Sequence, residues 1–346
     1  DGSDIQIATN PRDKASFFQT KEGVKPYNLL HLNALYNLLS LTYEDAIVYK
    51  AKEAGENKAL IEMVDRSDFT PKTIVTADRG YESYNNMAHI QEKGCFYLIR
   101  VKDFGKYKTG ILHGLDLPDT EEFDEYIDLN LTRKQTNEMK NLLQQKNTYR
   151  WIPHKCTFDY LPSKNKKLDP AVLYHLPFRI VRFPISDNSY EVVVTNLDAV
   201  EFPSDELKKL YGMRWGIETS FRDLKYTIGL LHFHSKKVDY ILQEIFAGLI
   251  MYNFSELITS HVVIEKGSRK YDKGLRRYLW AGLDYERYEV IKIIPQTMNF
   301  ASIVMKSRNT TDTPWCLEYC GTGHYFDTYK ELQKFYFEHF KKRLED

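Results

Sequence analysis

The hydrophobic period of this chain changes several times within its first hundred residues, and that succession limits the fold more than any single motif does. "DGSDIQI" and "HLNALYNLL" read as strands, and "YEDAIVYK" as a third. "ENKALIEMVDR" (Glu56 to Arg66) then carries apolar residues at helical spacing. "TIVTA" (Thr73 to Ala77) is a short β-branched strand. "SYNNMAHIQEKG" has Ser83 placed to cap a helix and Gly94 placed to end it. "CFYLIRV" is a further strand. Three strands in direct succession, followed by strands separated by helices, predict an α/β fold. Its mixed sheet should be antiparallel in the first part and parallel in the second.

From about Lys102 to Val200 the residues grow more polar. A helix is expected at "RKQTNEMKNLLQQ" and strands at "YRWIPHKCTFDY", "FRIVRFPI" and "YEVVVTNL", so this stretch reads as a mostly β insertion. "PSDELKKLYGMRWGIETSFRDLKY" follows as one helix, with Ser204 as cap and Asp205 and Glu206 in a first turn that suits the helix dipole. "VDYILQEIFAGLIMYNFSELI" is a second, more apolar helix. Beyond Ser268 the chain is basic and aromatic, then irregular, and closes on a helical "TYKELQKFYFEHFKKRLED".

Lys plus Arg and Asp plus Glu number 48 each in the 346 residues, which argues against a protein that coats nucleic acid by charge alone. No apolar run reaches the length of a bilayer, and "IFAGLIMYNF" reads as a core helix. Four cysteines suggest no disulfide framework in a chain of this size and point to a reducing cytoplasm. Cys316, Cys320 and His324 recur every four residues, but the glycines of "CGTGH" argue against the helix that would gather them on a zinc ion. The chain opens on Asp1 without a Met and reads as a segment of a longer protein.

At about 100° per residue, Tyr211, Arg214, Glu218, Arg222 and Lys225 of "YGMRWGIETSFRDLK" fall in one stripe roughly 21 Å long. Met213, Ile217, Phe221 and Leu224 gather on the neighbouring arc and should face a core. Such a stripe is either a solvated face, its ion pairs worth about 0.2–0.5 kcal/mol each, or a surface for a polyanion with a metal beside it. Asp78 follows the strand "TIVTA" in "ADRGY". It either opens a turn with Gly80 or stands where α/β sheets gather their sites, beyond the carboxyl ends of strands. Asp1 heads the first strand, and Asp4, three residues on, points to the opposite face.

Tyr211, Arg214, Glu218 and Lys225 reproduce a Y-x2-R-x3-E-x6-K spacing. With "DGSDI" and "TADRGY", they make the chain resemble the bacterial insertion-sequence transposases of the DDE class, over roughly Asp1 to Glu265. The resemblance implies a ribonuclease-H-like fold: a mixed five-stranded sheet flanked by helices, interrupted by a β-rich insertion, with a partly helical tail. Residues 1–102 and 201–265 would form the core, 103–200 the insertion and 266–346 the C-terminal region. It also implies a metal-binding catalytic triad of Asp1, Asp78 and Glu218, holding two Mg²⁺ or Mn²⁺ ions. Tyr211, Arg214, Lys225, Arg79 and Arg100 would contact DNA. Trp215 would either stack on an end base or pack beside Tyr211; Arg222 is a further phosphate contact, and Trp151 a core residue or another base contact. The implied activity is cleavage at transposon ends and joining of 3′-hydroxyls to target DNA. The implied partners are double-stranded DNA and a second copy of the chain on paired ends, in the cytoplasm, with no membrane. A nuclease without strand transfer and an inactive DNA-binding relative are the alternatives.

Overall fold

The computed structural model describes residues 1–19, 25–53, 55–103, 109–162, 172–186 and 189–260, and between 283 and 340 the strands and helix given below. The chain divides into two compact units. One comprises Asp1–Ile5, Thr9–Leu35 and Glu44–Glu218; the other comprises Gln6–Ala8, Tyr36–Tyr43 and Thr219–Asp346.

Strands β1 (Gly2–Ile7), β2 (Phe17–Phe18), β3 (Tyr27–Asn37) and β4 (Thr42–Lys50) form one sheet, with β3 between β1 and β2 and also paired to β4. Helix α1 (Glu56–Arg66) occupies the segment its periodicity predicts and buries Ala59, Leu60, Met63 and Val64 along one face. β5 (Ile74–Ala77) leads through a 3₁₀ turn at Arg79–Tyr81 into α2 (Tyr84–Glu92), and the chain returns as β6 (Phe96–Val101) parallel to β5, with Val75 opposite Tyr97. Ser83 caps α2 by accepting the Asn85 N–H at 3.2 Å. Gly94 ends it with φ 71°, a conformation that glycine adopts without a Cβ penalty.

The segment expected to be an insertion contributes β7 (Phe123–Thr132), α3 (Asn137–Leu142), β8 (Tyr149–Trp151), β9 (Tyr174–Ser186) and β10 (Ser189–Thr195). These strands continue the sheet of β5 and β6, in the order β5-β6-β10-β9-β7-β8. The α/β class and the mixed sheet flanked by helices stand, but the mixed sheet has six strands rather than five, and β1 lies in a different sheet from β5. The physical reason is that β6 offers an unpaired edge, which β10 takes antiparallel, with Val194 opposite Ile99.

Both faces of this sheet are covered, which explains its apolar runs. Alternate residues divide between two clusters. Tyr97, Ile99, Ile180, Val192 and Val194 join Met87, Ala88 and Ile90 of α2. Leu98, Val181, Phe183 and Val193 join Leu207 and Tyr211 on the other face. Two insertion elements are shorter than expected. α3 begins only at Asn137, because Thr136 caps it by accepting the Met139 N–H. β8 stops at Trp151, two residues before Pro153, which has no N–H to continue a ladder.

The single helix expected from Ser204 to Tyr226 is two: α4 (Ser204–Met213) and α5 (Trp215–Tyr226). Ser204 is their first residue and not a cap; Pro203 holds the cap position at φ −62°. At the break, the N–H of Arg214 donates to Tyr211 O and that of Ile217 to Arg214 O, both at 3.1 Å. These tighter bonds skip one residue fewer than an α-helix does.

In the second unit, Tyr43 Oη lies 2.8 Å from Ser220 Oγ and Tyr36 Oη 2.9 Å from Tyr252 Oη. Helix α6 (Val238–Ser260) is, at 23 residues, long and apolar enough to cross a bilayer by length and composition, which corrects the expectation of a shorter run. It buries Ile241, Ile245, Leu249, Tyr252 and Ile258 together with Ser255 and Glu256, but leaves Phe246, Ile250, Met251, Phe254 and Leu257 exposed, so the helix is only half covered and the expectation of a core helix holds for one face. The tail expected to be irregular instead forms an antiparallel sheet paired in chain order. Its strands are β11 (Leu283–Asp284), β12 (Tyr288–Pro295), β13 (Phe300–Lys306), β14 (Trp315–Tyr319) and β15 (Thr322–Phe326), followed by α7 (Tyr329–Phe340). Cys316 and His324 lie on the paired strands β14 and β15, not on a helix, and Cys320 falls outside the described residues.

Candidate active site

Asp1 is fixed to β3 from both sides. Its carbonyl accepts the Ala34 N–H at 2.9 Å, and its backbone nitrogen donates to Ala34 O at 3.1 Å. Its Oδ1 accepts the Gly2 N–H at 2.8 Å, while Oδ2 lies 3.5 Å from Nη1 of Arg214. Nη2 of the same guanidinium is 2.8 Å from Oε1 of Glu218. One arginine therefore ties together two carboxylates from opposite ends of the unit's sequence. Asp78 stands at the carboxyl end of β5 and also opens the turn, its Oδ1 accepting the Gly80 N–H at 2.7 Å. The turn role weighed for Asp78 is thus formed, at the carboxyl end of β5. The Asp1 backbone nitrogen is buried and lies within electrostatic reach of the carboxylates of Glu56 and Asp78.

Among the described residues, no three His, Cys, Asp or Glu side chains are close enough together to hold a metal ion. Here Arg214 supplies the positive charge between Asp1 and Glu218. The donor chemistry of Asp1, Asp78 and Glu218 nevertheless suits a hard divalent cation, which takes carboxylate oxygens.

The uniform stripe expected along this segment is not formed. Tyr211 is only 3 % exposed and packs with Leu98, Phe183 and Leu207, and Arg214 is 6 % exposed. Arg214 is drawn inward by two carboxylates, and the break between α4 and α5 accommodates the turn. Burial works against the Arg214 charge, but Tyr211 and Glu218 more than offset it and hold its pKa above the ordinary value. Burial likewise raises the Tyr211 phenol, against Arg214 and Arg100; its Oη has no hydrogen-bond partner among the described residues. Met213, expected in the core, is exposed, whereas Ile217, Phe221 and Leu224 are buried as expected.

Trp215 is 60 % exposed, with the Arg214 guanidinium carbon 5.2 Å from its ring centroid. Arg79 and Arg222 are exposed, and Lys225 is half-buried on α5. Arg100 points its Nε to Glu191 Oε1 at 3.3 Å. Trp151, for which a core role was one expectation, is 37 % exposed at the end of β8, the edge strand of its sheet.

Sequence reasoning missed two residues beside Asp1 and Asp78. His31 of β3 donates from Nδ1 to Asp4 Oδ1 at 2.7 Å, and its Nε2 lies 3.3 Å from Glu56 Oε1, an ion-pair distance without hydrogen-bond alignment. Glu56 and Asp4 hold the imidazole above its ordinary range despite its burial. Stability from a raised histidine is present in full below its unfolded value, about 6.5, and is lost as pH rises through the folded value. The melting-temperature advantage of the wild type over His31→Gln is therefore expected to be largest near pH 6 and to shrink at alkaline pH. Thermal melts across that range check this, and an advantage independent of pH would mean a neutral ring throughout.

The family model described as "Transposase DDE domain" matches residues 1–254. The chain therefore belongs to the DDE transposase family. The transposase InsG of insertion sequence element IS4 from Escherichia coli (strain K12) is 40% identical over 94 residues, a match that covers 27% of this chain and 21% of InsG. The match thus spans about a fifth of that curated relative. A cryo-EM structure of the piggyBac transposase synaptic complex with hairpin DNA is similar with a TM-score of 0.41 at 10% identity, covering 81% of this chain and 50% of the other.

Proposed function

We propose that this chain is the catalytic part of a DNA transposase that cleaves DNA at the ends of an element and joins the 3′-hydroxyls to target DNA. The observation that carries this reading is the Arg214 bridge between Asp1 and Glu218. Asp1, Asp78 and Glu218 would hold two Mg²⁺ or Mn²⁺ ions. When bound, such ions activate the attacking hydroxyl and stabilise the leaving 3′-oxygen.

The remaining work falls to the chain's own residues. Arg214 neutralises and orients Asp1 and Glu218. Tyr211, buried with its ring centroid 5.5 Å from the Arg214 guanidinium carbon, packs that arginine rather than touching phosphate. Trp215 offers an exposed ring for an unpaired end base, a sequence-tolerant contact. Arg79 would contact phosphate, and so, each in its own right, would Arg222 and Lys225; Arg100 would reach one only by leaving Glu191. The partner is duplex DNA, with two copies of the chain on paired ends, in the cytoplasm.

The test is a cleavage assay on uncut ends and a strand-transfer assay on pre-cut ends, each with either metal. Joined product is expected. Cleavage without joining would favour a nuclease, and binding without either would favour an inactive DNA-binding relative.

A further inference from the structure

We propose that Glu56, clamped by His31, is a positioning residue that sets the spacing between Asp1 and Asp78. This rests on the assignment of those two aspartates to the site. Each is followed closely by a glycine, and both glycines open onto the same carboxylate. A Cβ on Gly2 would collide with His31 Nε2 and come within 3.0 Å of Glu56 Oε1. A Cβ on Gly80 would lie 3.0 Å from Asp78 Oδ1 and 3.3 Å from Glu56 Oε2. The two oxygens of Glu56 therefore face the two aspartate-bearing segments, one each.

A wedge is needed because β1 and β5 lie in different sheets, so no shared strand ladder fixes Asp1 against Asp78. Glu56 stands in the first turn of α1, where the helix dipole favours a carboxylate. Its neighbour Asn57 ties the same helix end to the Asp78 turn, donating from Nδ2 to Gly80 O at 3.4 Å. Asn86 completes the tie, with Nδ2 2.5 Å from Asn57 Oδ1 and 2.8 Å from Tyr81 O. His31 Nε2, 3.3 Å from Glu56 Oε1, braces the carboxylate on the side that faces Gly2.

The test is titration with Mn²⁺ alone, followed by electron paramagnetic resonance, on wild type, Glu56→Gln, Glu56→Ala, Gly80→Ala and Asp78→Asn, each with a thermal melt. Gln keeps the wedge's shape and Ala removes it. Glu56→Ala and Gly80→Ala are expected to weaken Mn²⁺ binding about tenfold, as loss of a supporting contact does, with melts close to wild type. Glu56→Gln is expected to stay within about twofold of wild type, the rescue that a shape-based role requires. Glu56→Gln as deficient as Glu56→Ala would overturn the proposal, because charge and not position would then matter. Normal binding in Glu56→Ala alongside loss in Asp78→Asn would overturn it alone. Undiminished binding in Asp78→Asn would overturn the site assignment and this proposal with it.

Discussion

Replacing Glu218 by Gln is expected to reduce cleavage at element ends about 10³-fold, the several kcal/mol that metal-assisted charge stabilisation supplies. The substitution is nearly isosteric. Gln keeps a side-chain oxygen to accept from Arg214 Nη2, so the 2.8 Å contact can persist as a hydrogen bond from the charged guanidinium to a neutral amide oxygen. Glu218 is also partly solvated, which limits what its charge contributes to folding. The melting temperature should therefore barely move, and DNA binding should be retained. Cleavage kinetics on labelled ends, with gel-shift binding and a thermal melt on the same preparation, measure all three quantities. Unchanged cleavage would remove Glu218 from the chemistry.

Arg214→Ala is the second large effect, and it acts through both stability and catalysis. Removing one partner of a fully buried ion pair costs about 3–5 kcal/mol. Here the arginine is buried but Asp1 and Glu218 are partly exposed, so solvent screens the orphaned carboxylates and about 2 kcal/mol is expected. That corresponds to a fall in melting temperature on the order of 5 °C. Catalysis should fall further than stability accounts for, because Asp1 and Glu218 lose the group that orients them together. Arg214→Lys separates the two effects: a single ammonium restores charge but cannot fork between two carboxylates. It should recover most of the melting temperature and little of the activity. Equal recovery of both would make Arg214 a structural cation only.

The places that the proposed site residues take in the fold were largely legible before any coordinate. Asp78 after β5, Asp1 before β1 and Glu218 four residues after Arg214 follow from strand and helix patterns combined with a family resemblance. The Arg214–Glu218 pair is an i,i+4 contact and needs only local geometry. The Arg214–Asp1 contact is not local, and nothing in the sequence announces it. Glu56 and His31 were missed for the same reason. The one trace they leave is the glycine after each aspartate, in "DG" and "DRG", and a glycine does not say what fills the space it leaves.

Local order came from neighbours along the chain. The spans of α1 and α2, the Ser83 cap and the positive φ at Gly94 depend on propensity, period and capping within a few residues. Strand pairing and burial depend on residues far apart. The edge of β6 recruited the insertion's strands into the same sheet. The pull of Asp1 buried Arg214 at a break in what periodicity alone predicts as one continuous helix. A helical projection places side chains around an axis but not against a partner, so only long-range packing and charge could separate the buried Tyr211 and Arg214 from the exposed Trp215.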